Sequence, residues 1–202
     1  LTAAFRTMRE TLYGPSGYGL DGLGTESSVK SLSADVITTF HRQLAVPNNA
    51  VLAIYGDIKP KSIRSEIEKA FGLWGQGVGF EKPVTPSQGG GMQRVSSERD
   101  KEQAVVIVGY RGCTFYDEDR FALELIPEAC SDLGSRLFMR IREELGLAYY
   151  VGAQCQPGLL PGTFTFYAGT APSEVTRVEQ ELLDQVAKLR DEGLTEKELR
   201  RS

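Results

Sequence analysis

One histidine, His41, and three cysteines, Cys113, Cys130 and Cys155, are all that the sequence offers for zinc-type or thiol chemistry. A catalytic zinc site takes about three protein ligands, commonly with more than one imidazole. This set therefore predicts a chain that does not itself hold a reacting metal. His41 has neither an acidic residue nor a second histidine four positions away on either side, which predicts a structural histidine on a helix. The cysteines are odd in number, 17 and 25 residues apart, and form no C-x-x-C, so they read as small buried hydrophobes and not as a disulfide framework. Gly17-Tyr18-Gly19-Leu20-Asp21-Gly22 spells G-x-G-x-x-G, but a dinucleotide fingerprint needs a strand before it and a helix directly after it. Here a helical pattern precedes it, Pro15 intervenes and more loop follows, so a structured loop is expected. The stretch Gly134 to Val151 is the most informative. Arg136, Arg140 and Arg142 share an amphipathic helix with Glu143 and Glu144, and a strand follows. Taken alone, those charges predict a solvated face of paired ions.

The rest of the composition narrows the class. With 202 residues, the chain is one large domain or two small ones at roughly 150 residues per domain. Lys plus Arg number 23 against 27 Asp plus Glu, a net charge of −4, which argues against nonspecific nucleic-acid binding. A hydrophobic content of 41% suffices for a packed core. No apolar run approaches the roughly 18 residues that span a bilayer, and no signal peptide is visible. The chain opens on Leu1, and a capping box, Thr195 with Glu198, announces a helix within about one turn of Ser202. Both features predict a piece of a longer protein.

The elements that position these residues follow from periodicity. Residues 2–12 read as the end of a helix, and the glycine-rich loop comes next. Ser33 caps a helix over 34–44 with Val36, Phe40 and Leu44 on one face. Pro47-Asn48-Asn49 is a turn, and Ala50 to Tyr55 is a short apolar run expected to be a strand buried on both faces. Pro60 opens a helix expected to bury Ile63, Ile67, Ala70, Phe71 and Trp74. Gly and Pro then dominate, giving a linker over 79–98. After it come a strand over 103–110, a helix over 117–131 kinked at Pro127, a helix over 135–145 ended by Gly146, strands over 148–154 and 163–168, and a helix over 174–192 stopped by Gly193. The predicted class is α+β, a mixed β-sheet packed against helices. The run Ala50 to Tyr55 is expected to pair with the strands of the second segment, within the chain or by swapping into a homodimer.

Residues 135–151, S-R-L-F-x-x-x-R-E-E-L-G-L-A-Y-Y-V, resemble the signature of the insulinase and pitrilysin family of zinc metallopeptidases, which includes bacterial processing proteases and the mitochondrial processing peptidase. The likeness extends over nearly the whole chain. Gly17-Tyr18-Gly19 with Gly24-Thr25, the Pro47 to Asn49 turn, Val51 to Ile54, Gly56-Asp57, Arg120 to Leu125 and the closing Gly193-Leu194-Thr195 with Glu198-Leu199 occur in the family's usual order.

The resemblance implies a LuxS/mitochondrial-processing-peptidase-like metallohydrolase fold, incomplete at both ends. Such proteins have two similar α+β halves that close on an extended peptide. One half carries H-x-x-E-H and zinc; the other is metal-free and supplies an Arg and a Tyr seven residues apart. Here those positions are Arg142 and Tyr149. Residues 1–78 then correspond to the tail of the metal-bearing type of half, and residues 99–202 to the first part of the metal-free half. Zinc is expected outside this chain, on a catalytic half of the same protein or on a partner subunit. The chemical rationale is that attack on a peptide carbonyl builds negative charge on its oxygen, and fixed donors there lower the barrier. Tyr has one O–H donor and Arg a rigid fork of N–H donors. Tyr150, next along the strand, should point the other way, into packing. The expected function is thus a non-catalytic clamp for a zinc-dependent endopeptidase, inactive alone. The alternative is a structural or binding subunit of the same fold without proteolytic activity.

Overall fold

The structure, a computed structural model, describes residues 1–81 and 91–202. The expected linker over 79–98 therefore lies partly, at 82–90, outside the described residues. Two compact units emerge: Leu1–Gly22 with Pro83–Ser202, and Leu23–Lys82.

The first unit is built on a three-stranded antiparallel sheet, in the order β1-β3-β2. Its strands are β1 (Ala104–Arg111), β2 (Ala148–Gln156) and β3 (Thr163–Thr170). The α+β class is as the sequence predicts, and within this sheet every ladder is antiparallel. The alternation in β3 suggests a strand buried on one face, yet both faces are covered. Phe164, Phe166 and Ala168 enter the core, while Tyr167 meets Phe5 edge-on at 5.7 Å between ring centroids. Phe5 belongs to α1 (Thr2–Tyr13), whose Leu12 carbonyl also accepts from Arg111 Nη2 at 3.2 Å. Opposite, α6 (Val175–Glu192) buries Val178 and Leu182 fully, as its period predicts. Each such side chain contributes roughly 1.5–3 kcal/mol.

Helix α5 (Arg120–Ser131), with Pro127 inside it, runs against β2. Its last residue completes the strand's outer edge. The Ser131 hydroxyl accepts from the Ala153 N–H at 3.1 Å and donates to the Ala153 carbonyl at 3.2 Å. One hydroxyl thus satisfies two edge groups that would otherwise need a further strand. The predicted helix over 135–145 is wound differently: Phe138–Glu144 is a π-helix. The closing helix α7 (Glu196–Arg201) starts at the predicted capping box.

The second unit holds α2 (Glu26–Lys30), α3 (Ala34–Leu44) and α4 (Pro60–Phe71). Ser33 caps α3 as expected, accepting from the Val36 N–H at 3.3 Å. Asn48 and Asn49 tie the 47–49 turn to the backbone of Gly77, Val78 and Phe80. Two expectations fail here. Ala50 to Tyr55 is not a strand, and Val51 and Tyr55 are 96% and 93% exposed. A strand exists only through its ladder, and among the described residues no neighbour offers one. Among the described residues Ala50 to Tyr55 joins no sheet within the chain. Nor does α4 bury its apolar side: Ile63 and Ile67 are half-buried, while Ala70, Phe71 and Trp74 are exposed. Helical spacing places such residues on one face, but only a covering element buries them. No helix among the described residues is long and apolar enough to cross a membrane.

Candidate functional site

Arg142 and Tyr149 flank a sharp turn between the π-helix and β2. The π winding shows at its end: the Leu145 N–H donates to the Arg140 carbonyl at 3.2 Å, five residues back. Gly146 then takes φ 63°, where a side chain would be strained, and the Leu147 N–H closes onto the Ile141 carbonyl at 2.9 Å. The buried Thr170 hydroxyl donates to the Leu147 carbonyl at 2.6 Å, pinning the turn to the end of β3.

Arg142 projects from the last turn of the π-helix, its side chain 44% exposed. Its guanidinium carbon stands 4.9 Å from the Phe138 ring centroid, a cation–π contact. Glu143 Oε1 is 3.9 Å from its Nε. That separation is too long for a hydrogen bond.

Tyr149 occupies a β-bulge. Ala148 lies opposite Thr170 and Tyr150 opposite Gly169, leaving Tyr149 as the extra residue. Bulges re-aim side chains, and Tyr149 is 54% exposed. Tyr150 packs as expected: its ring lies over Gly169, 6.4 Å from the Tyr167 ring, and burial raises its hydroxyl pKa. A Cβ on Gly169 would fall 2.2 Å from Tyr150 Cε1. Gly169→Ala is therefore expected to cost about 1–3 kcal/mol in a denaturant titration by overpacking. An unchanged midpoint would contradict this contact.

The π-helix is anchored by contacts to distant residues that the local sequence does not reveal. Arg136 does not pair with Glu143 or Glu144. Its fork grips Glu198 of α7, Nε to Oε1 at 2.7 Å and Nη2 to Oε2 at 2.5 Å, and Nη2 also donates to the Gly193 carbonyl at 3.0 Å. The Arg136 donors, then the Thr195 N–H and hydroxyl, hold the Glu198 carboxyl down at about 2. Arg140 pairs with Glu144 at 3.0 Å as predicted and also reaches Glu181 of α6 at 3.2 Å. The base of the π-helix is thereby fixed to both α6 and α7. A partner 62 residues away leaves no local signal.

The remaining candidates are structural. Gly17–Gly19 is a 3-10 turn that follows α1, without the strand a nucleotide fingerprint needs. Its Tyr18 hydroxyl accepts from the Leu160 N–H at 3.3 Å, and Tyr13 donates to the Gly162 carbonyl at 2.5 Å. Burial pushes the Tyr13 hydroxyl up to about 12. His41 is exposed on α3. Cys113 and Cys130 are buried, Cys155 half-buried, and all three are free thiols. Among the described residues no three His, Cys, Asp or Glu side chains gather to hold a metal ion. The residues present do not fit a zinc site.

Known proteins resemble this chain along most of its length. A family model described as the peptidase M16 inactive domain matches residues 31–202. A Streptomyces coelicolor protein named an uncharacterized zinc protease is 32% identical over 199 residues, covering 95% of this chain and 43% of that protein. A Bacillus subtilis protein, also named an uncharacterized zinc protease, is 27% identical over 199 residues, covering 96% of this chain and 47% of its own length. The crystal structure of a peptidase M16 inactive domain from Pseudomonas fluorescens superposes with a TM-score of 0.84 at 21% identity, covering 98% of this chain and 48% of that one. The chain spans about half the length of the curated relatives it matches.

Proposed function

The chain belongs to the M16 peptidase family, and from that membership we propose that it is the non-catalytic, substrate-clamping part of a zinc-dependent endopeptidase. In this reading residues 1–78 are the tail of the metal-bearing half, 79–98 the linker and 99–202 the first part of the metal-free half. The zinc belongs to a catalytic half, on the same protein or a partner subunit, because the residues here do not fit it. The exposed apolar residues of the second unit, Phe40 on α3 and Val51 and Tyr55 beyond it, support such a partner, since covering them would remove apolar surface from water.

The observation that carries the reading is the bulge. It removes Tyr149 from the pairing of β2 and turns its ring to solvent, just past the turn that follows Arg142. Arg142 would turn its fork from the 3.9 Å ion pair with Glu143 to a substrate carbonyl, steered by Phe138 beneath it. Tyr149 would donate its O–H to a carbonyl or to the oxyanion that replaces it. Neither residue cleaves anything: they orient the peptide and stabilise charge developed elsewhere.

Fluorescence anisotropy with a labelled, unstructured peptide tests the binding half of the proposal. This chain should bind it weakly, and Arg142→Ala with Tyr149→Phe should reduce that affinity about tenfold or more, the equivalent of about 1.4 kcal/mol. Metal analysis of the purified chain should find no stoichiometric zinc. One equivalent of bound zinc, or peptide affinity indifferent to both substitutions, would overturn the assignment.

A further inference from the structure

Where the extra residue of β2 falls decides where Tyr149 points. The strand pairs with β3 without interruption from Tyr150, opposite Gly169, to Gln156, opposite Thr163. Continued regularly, that register would set Tyr149 opposite Thr170. Tyr149 would then share a face with Val151 and Ala153, which are 8% and 6% exposed, and its ring would turn toward the core. In the structure Ala148 stands opposite Thr170 instead, and Tyr149 is left out of the pairing. The two arrangements of this strand end differ by a single residue, so a specific contact must select the bulged one.

Thr170 is placed to do so. It ends β3 between Ala104 of β1 and Ala148 of β2. Just beyond it the Glu174 N–H donates to the Ala171 carbonyl at 3.0 Å and the chain enters α6, which limits how far Thr170 can follow β2. Its side chain is 0% exposed, and its hydroxyl donates to the Leu147 carbonyl at 2.6 Å. In the regular register that carbonyl would lie one residue farther along, about 3.4 Å, and a buried hydroxyl would lose its acceptor. The Leu147 N–H is tied to the Ile141 carbonyl, which holds the same residue to the π-helix but not to β3.

We propose that Thr170 is a positioning residue for the candidate site. By holding the Leu147 carbonyl, its hydroxyl keeps Ala148 in register and confines the extra residue to position 149, so that the Tyr149 O–H faces solvent. Thr170 acts only through Tyr149. The consequence for peptide binding rests on the clamping role proposed above, whereas the choice of register does not.

The test reads register and binding separately on the chain itself. Thr170→Val keeps the branched shape and removes the O–H, and Thr170→Ser keeps a hydroxyl. Cross-strand NOEs should place residue 170 opposite Ala148 in the wild type and in Thr170→Ser, and opposite Tyr149 in Thr170→Val. In anisotropy with the labelled, unstructured peptide, Thr170→Val should lose about threefold or more in affinity, the range of one hydrogen bond. Adding Tyr149→Phe should cost nothing further, and Thr170→Ser should bind as the wild type does. A residue that merely supports the fold would lower the melting temperature of Thr170→Val and leave the register as it is. An unshifted register therefore overturns the proposal, as does an affinity that falls for Tyr149→Phe but not for Thr170→Val. A shifted register with affinity indifferent to both substitutions removes the clamping role and leaves the register assignment standing. If Thr170→Val does not fold, the wild type decides. A Thr170 hydroxyl proton protected from exchange, with Ala148 opposite, supports the proposal; one exchanging at the solvent rate refutes it.

Discussion

On the proposed reading, Tyr149→Phe in the complete protein that also carries the zinc-bearing half is expected to lower kcat/KM by about 10²–10³-fold, the usual cost of one donor to a developing oxyanion. The substitution keeps the ring and removes only the O–H. Because Tyr149 is 54% exposed and lies outside the β2–β3 ladder, the melting temperature should not move. Arg142→Ala should produce a comparable loss. Arg142→Lys should recover part of it, because an ammonium restores the charge without the planar fork. Peptide-cleavage kinetics with the three variants check the assignment. Unchanged kcat/KM for Tyr149→Phe would remove Tyr149 from the site.

Glu198→Ala should act on stability and not on chemistry. Arg136 and Glu198 are 16% and 11% exposed at the side chain, so deleting the carboxylate strands a largely buried guanidinium and removes the capping box's return bond from the Thr195 N–H. A loss of about 2–4 kcal/mol is expected in chemical denaturation. The same pair predicts the acid response. The Glu198 carboxyl is held at about 2, below its ordinary 4.5. Its contribution is therefore complete above about pH 4.5 and disappears as pH falls through about 2. Glu198→Gln, which cannot ionise, should show a flatter stability profile across that window by circular dichroism. Superimposable acid profiles for wild type and variant would contradict the proposed link.

Much of this was legible in local sequence. Ser33 and the Thr195–Glu198 pair announce helix starts because a cap is a contact between residues three apart. Gly146 and Gly193 stop helices because both take positive φ. Features set by distant partners were not legible. The π winding of Phe138–Glu144 shifts hydrogen bonds by one residue while leaving the amphipathic pattern almost unchanged. The bulge at Tyr149 depends on β3, where Gly169 makes room for Tyr150. Arg136 looked like a surface charge because Glu198 is remote in sequence. Ala50 to Tyr55 misled in the opposite sense: its composition suits a buried strand, but the described residues supply no neighbour. The family resemblance, carried by motif order, is what makes Arg142 and Tyr149 candidates; charge patterning alone would have left Arg142 on a solvated helix face.

The bulge also separates two kinds of selection. From Tyr150 to Gln156, β2 pairs residue for residue with β3, so the sheet would close without the extra residue. Packing therefore places little demand on the identity of residue 149, whereas Tyr150 and Gly169 constrain each other through their contact. Across the family, covariation between positions 150 and 169 would be the imprint of folding. Invariance at 149 would be the imprint of something outside the fold.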